Sequence, residues 1–190
     1  MAGSVPTVMV SSTFYDLREV RHQIRRMVEG DLGYQVLISE SPEFPIDTDV
    51  GAIENCRRRV ERDVDVLVLV VGNRYGSIDL SSGKSVTTVE YLTARAKGIP
   101  IYVFVEKRTL VLADARLAVP VEQRGALGAL VDNVELFEFI ERIRAVDKVW
   151  VNGFETADDI TGALRTQFAY IAKRGLVLQI KSQQERMSGS

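Results

Sequence analysis

One cysteine, Cys56, and one histidine, His22, are all that the 190 residues contain of either type. That scarcity excludes an internal disulfide framework and any zinc site built from Cys and His, and it fits a reducing compartment, so the expected location is the cytoplasm. Long apolar runs are also missing. The longest, Val66 to Val71, is far too short to span a bilayer, and Met1 to Pro6 lacks the basic and apolar regions of a signal peptide. Charge of one sign is missing too: 24 Lys and Arg stand against 26 Asp and Glu, a net charge of -2. Such a chain has no general field for holding a nucleic acid or an anionic membrane, and neither is expected as a partner. The patterns GxGxxG, Walker A, GxSxG and HExxH do not occur, which argues against the common dinucleotide, NTPase, hydrolase and zincin chemistries.

What the sequence does have is 46% hydrophobic residues, enough for a sizeable core in one domain. Thr7 to Ser11 reads as a buried strand running into Ser and Thr, the residues that open helices. Thr13 and Asp16 have capping-box spacing, and Leu17, Val20, Ile24, Met27 and Val28 then recur at helical intervals until Gly30 and Gly33. Tyr34 to Ser39 reads as a second strand, followed by a loop carrying Pro42 and Pro45 and a helix marked by Ile53, Cys56 and Val60. Asp65 to Gly72 is apolar on both faces, as a central parallel strand must be. Past a Gly- and Ser-rich loop, a helix through Val89, Leu92, Thr93 and Ala96 ends at Gly98, and Ile99 to Val105 makes the fourth strand. The stretch Leu110 to Asn133, interrupted by Pro120, is an insertion with some helix. A helix through Leu136, Phe139, Ile140 and Ile143, a short strand at Val149 to Val151, and a helix behind a Thr156 to Asp159 cap complete the pattern.

Strands alternating with helices at this spacing predict an α/β fold: a five-stranded parallel sheet, doubly wound into three layers, in the flavodoxin-like order 2-1-3-4-5. The domain is expected over residues 1–174, with 175–190 as a carboxyl-terminal extension or linker that is partly disordered, from Lys181 on. In this order the switch point lies between the first and third strands, and ligands bind beyond their carboxyl ends.

Three groups of polar residues fall at that edge. Ser11, Ser12 and Thr13 precede a helix amino terminus, where they serve as caps or, with the free N–H groups, hold a phosphate or carboxylate. Asn73, Arg74 and Tyr75 leave the central strand: Arg74 is suited to pairing with phosphate or to a surface ion pair, and Tyr75 to stacking on a base or lidding the core. Glu90 follows Thr87 at capping-box spacing, and it is also placed to act on a sugar, since a glycosidic carbon developing positive charge needs a nearby anion. His22, on a helix face with Arg18, Arg25 and Arg26, reads as solvated. The cluster Arg57, Arg58, Arg59 and Arg62 among Glu54, Glu61 and Asp63 reads as a charged helix surface.

Val10 to Arg21 (VSSTFYDLREVR), Asp65 to Ser77 (D-x-x-x-x-x-x-G-x-R-Y-G-S) and Ser85 to Tyr91 (S-x-T-x-x-E-Y) together resemble the domain of unknown function 4062 family, over about Thr7 to Ile171. The resemblance implies relatedness to TIR and nucleoside 2-deoxyribosyltransferase-like domains, and an amino-terminal module on a larger protein, often ahead of STAND-type NTPase and repeat regions. It thus implies signalling or antiviral defence. In those relatives a glutamate opening the helix after the third strand attacks or stabilises the anomeric carbon, the place Glu90 holds here, and Ser85 opens the same motif. Two functions are therefore expected as alternatives. One is a module that binds a nucleotide or a partner protein; the other is an N-glycosidase acting on NAD or a related nucleotide. No metal and no certain cofactor is expected, and self-association is suggested by the apolar stretch Leu176 to Ile180.

Overall fold

The computed structural model describes residues 5–12, 17–39, 41–78, 83–128, 131 and 133–188. Its centre is β3 (Val66–Val71), six consecutive apolar residues all buried. A strand with no polar face can only sit between two covering layers, and β3 pairs on one side with β1 (Thr7–Ser12) and on the other with β4 (Ile101–Glu106). β2 (Gln35–Leu37) and β5 (Val151–Phe154) complete a parallel sheet in the order β2-β1-β3-β4-β5, as the alternation of strands and helices predicts.

Side chains alternate across the sheet, so each strand feeds two cores. On one face Val8, Val10, Val68 and Val70 pack with Ile24 and Val28 of α1 (Arg18–Leu32) and with Ile160, Leu164 and Phe168 of α7 (Ala157–Ser188). On the other, Met9, Leu67, Leu69 and Val103 meet α2 (Ala52–Asp63) and α3 (Val86–Lys97). That second face also receives α4 (Lys107–Ala118) and α6 (Glu135–Glu141), which belong to the long β4–β5 crossover together with the short α5 (Arg124–Gly128). α4 stops two residues before Pro120, which opens a 3-10 turn at Val121–Gln123, so the predicted insertion is a broken helical connection.

α1 and α3 both end on a glycine in the left-handed region, Gly33 at φ 67° and Gly98 at φ 77°, which closes each helix and turns the chain into the next strand. Lys97 reaches across to donate to the carbonyls of Val60 and Val64 at 3.0 and 2.6 Å, tying the end of α3 to the end of α2. The arginines of α2 form the charged surface expected of them: Arg57 pairs with Glu54 and Glu61, and Arg59 with Asp47 and Asp63.

Three boundaries differ from the sequence reading. β2 is half the predicted length, because only Gln35 to Leu37 are in register with β1. β5 begins at Val151, two residues later than expected, since the Val149 N–H is taken by the Ile143 carbonyl at the end of a π turn (Arg142–Val146) and pairing with β4 starts only at Val103 opposite Val151. The tail from Lys181, expected to be disordered, is helical to Ser188; its Lys, Gln, Glu, Arg and Met residues are all good helix formers and nothing in it breaks the turn.

Candidate functional site

Ser11 and Ser12 end β1 at the carboxyl edge of the sheet, beside Leu69 and Val70 of β3. As successive strand residues they face opposite layers. Ser11 shares the face of Met9, toward α3, while Ser12 shares the face of Val10, toward α1. Each hydroxyl meets a charged side chain. The Ser11 hydroxyl donates to Glu90 Oε2 at 2.5 Å, and Ser12 Oγ accepts from the Arg21 guanidinium at 2.9 Å. All four residues are buried, Glu90 to 1% exposure and Arg21 to 3%. A carboxylate and a guanidinium therefore flank the end of β1 from the two sides of the sheet, at the switch point between β1 and β3.

The local sequence explains how α3 delivers Glu90 to this place. Ser85 is the N-cap: its Oγ accepts the Thr88 N–H at 3.1 Å and lies 2.9 Å from the Thr88 hydroxyl. This sets the helical frame two residues earlier than the Thr87–Glu90 capping box would, and it corrects that reading. Glu90 falls on the fifth helical position, beyond the free N–H groups, and its side chain is directed at β1 instead of back at the cap. The Thr88 hydroxyl also donates to Tyr75 Oη at 3.4 Å, so Tyr75, Thr88 and Ser85 form a hydroxyl chain along the first turn of α3. The next residue fixes the helix from the other side. Tyr91 is fully buried, packs edge-on against Phe139 at 5.5 Å, and donates its hydroxyl to Asp147 at 2.9 Å just past the π turn. Burial first, and then that bond to Asp147, hold the Tyr91 phenol well above its usual range, so it remains a proton donor.

The expected residues thus divide. Ser11 and Glu90 are joined directly; Ser12 stands beside them; Ser85 and Tyr75 support α3 from below. Tyr75 is 5% exposed and belongs to the core cluster on that face, which fits the lid reading of its ring. The chain turns into this loop through Gly76 at φ 87°. Asn73 and Arg74 are exposed after β3 and form no hydrogen bond or ion pair among the described residues. Thr13 lies outside the described residues. Arg21 was not foreseen, although a signal existed: it stands at helical spacing with Leu17, Ile24 and Val28, and a charge on a buried face needs a partner. Among the described residues no group of three or more His, Cys, Asp or Glu is arranged to hold a metal ion. No described helix is long and apolar enough to cross a membrane.

No curated protein matches this chain. The profile of a family described as a domain of unknown function, DUF4062, matches residues 7–169, from the first residue of β1 into α7, and so takes in every strand and the whole β1–β3 switch point. With this fold and these three motif loops, the chain belongs to the DUF4062 family.

Proposed function

We propose that the chain is a nucleotide-binding effector or signalling module whose Glu90 carboxylate acts on the N-glycosidic bond of NAD or a related nucleotide. The observation that carries this reading is the Ser11–Glu90 hydrogen bond, which sets a buried carboxylate across the switch point. Ligands of open α/β sheets bind at that crevice. An anion shielded from solvent stabilises a developing positive charge most strongly. In the reaction, the bond from the sugar C1′ to the nicotinamide nitrogen breaks, and nicotinamide leaves with the electron pair. Glu90 faces the resulting cationic carbon as nucleophile or electrostatic partner. Water then adds to C1′, leaving ADP-ribose, nicotinamide and one proton. At 1% exposure Glu90 lies beneath the surface, so the sugar has to displace part of its cover to reach it. Incubating the concentrated protein with NAD and separating the products by chromatography tests this. Nicotinamide is expected from the wild type and at least a hundredfold less from Glu90→Gln, roughly the cost of removing one preorganised charge-stabilising group. Equal release from both, or none from either, sinks the reading.

A second reading, assembly through the carboxyl-terminal helix, is favoured by a separate observation. Leu176, Val177, Leu178 and Ile180 are 43% to 65% exposed on α7. Light scattering across a concentration series is expected to show self-association that a Leu176→Ser/Ile180→Ser variant lacks; a strict monomer at every concentration counts against it.

A further inference from the structure

α1 carries four basic side chains along one face. Arg18, Arg21, His22 and Arg25 recur at intervals of three and four, so they stack on adjacent turns. The chain after β2 faces them, and between the two lies a cavity of about 330 Å³ that Ile38 and Ser41 help to close. Its size falls within the range of small-ligand sites, roughly 300–1,000 Å³. Its α1 wall is basic, since Arg18, Arg21, His22 and Arg25 all line it. Arg25 is engaged with Glu29 at 3.2 Å and Glu43 at 2.8 Å, and the Ser41 hydroxyl also donates to Glu43, at 3.1 Å. Arg18 and His22 are exposed and have no hydrogen bond or ion pair to any carboxylate among the described residues. Two exposed basic groups lining a cavity, with a third, buried guanidinium, Arg21, in its wall, form the donor set that a phosphate group recognises.

Position links this cavity to the carboxylate. Arg21 lines it and at the same time donates to Ser12, whose neighbour Ser11 donates to Glu90. The two sites are thus separated by one residue step of β1, about 3.8 Å between Cα atoms, plus the side chains on either face. We infer that the cavity between α1 and the segment after β2 is a diphosphate-binding subsite, which holds the phosphates of a ligand that crosses the end of β1 to place its sugar at Glu90. The crossing to Glu90 rests on the nucleotide reading above; the affinity of the cavity for diphosphate does not.

The chain's one histidine makes the test specific, because its ring C–H signals in an NMR spectrum report on this cavity alone. Titrating the wild type with inorganic pyrophosphate is expected to shift the His22 signals saturably, whereas sodium chloride at matched ionic strength does not. Arg18→Ala, an exposed position whose replacement leaves the rest of the spectrum in place, is expected to weaken that binding at least tenfold, and Arg18→Lys to recover part of it. His22 signals that follow chloride and pyrophosphate alike, or an unchanged affinity in Arg18→Ala, overturn the inference even when nicotinamide is released from NAD. A saturable, Arg18-dependent response in a protein that releases no nicotinamide sustains the diphosphate site and discards the role given to Glu90.

Discussion

Glu90 is 79 residues from Ser11 in sequence, yet a single hydrogen bond joins them, and both are at 1% exposure. Burying a carboxylate is tolerated only where donors meet it. Ser11→Ala removes a donor from that oxygen without touching the rest of α3. It is expected to cost about 1–3 kcal/mol in urea denaturation, the usual cost of stripping a buried polar group of a partner. Combining it with Glu90→Gln is expected to be less than additive, since the two residues share one interaction; strictly additive losses show that the bond contributes nothing. Sequence spacing led to Glu90 and Ser11 as separate candidates but not to their contact. It also placed Glu90 two positions too early in its helix. The capping box was a plausible local pattern, and what displaced it was Ser85, an equally good cap two residues upstream that happens to be fully buried. Arg21 was hidden for a related reason: its partner Ser12 was legible only once the strand's alternation put that hydroxyl on the α1 side.

Elements were more legible than contacts. The start of α7 is the clearest case, because Thr156 and Asp159 form the reciprocal cap their spacing predicts. Asp159 accepts from the N–H groups of Glu155 and Thr156 at 2.9 and 3.0 Å, and Thr156 Oγ accepts the Asp159 N–H at 3.4 Å. Thr156→Ala is expected to cost about 1 kcal/mol in the same denaturation assay. Those backbone N–H bonds, Glu155 first, hold the Asp159 carboxyl below its ordinary value. A carboxyl lowered in the folded state adds stability that is present above its unfolded pKa, about 3.9, and is lost as pH falls through the folded value. Asp159→Asn is therefore expected to flatten part of the acid limb of stability against pH; an acid limb identical to the wild type contradicts the cap. The strand ends were less readable, because β2 and β5 are edge strands whose length is set by register with a neighbour, a long-range property absent from their own residues.

For the molecule as a whole, the alternation of β and α and the wholly apolar β3 were sufficient to give layer order and strand order, because a parallel sheet with right-handed crossovers leaves few arrangements. The density of that centre makes a strong prediction: Leu69→Ala, at a fully buried position, is expected to cost about 2–5 kcal/mol. The far end of α7 makes the opposite one. Every residue from Ala172 to Ser188 is exposed, so truncation after Arg174 is expected to leave the thermal midpoint unchanged at a concentration where the full chain is monomeric, and a fall of several degrees there shows that this segment packs on the body. Between these extremes lies the edge where β1 and β3 diverge, which is neither core nor free surface. The most direct test of its role is the initial rate of nicotinamide release from NAD by the wild type, Glu90→Gln and Thr156→Ala side by side. The account predicts that Glu90→Gln loses at least about a hundredfold while Thr156→Ala, destabilised but two strands away from β3, keeps the wild-type rate; release that survives in Glu90→Gln, or falls equally in both variants, contradicts it.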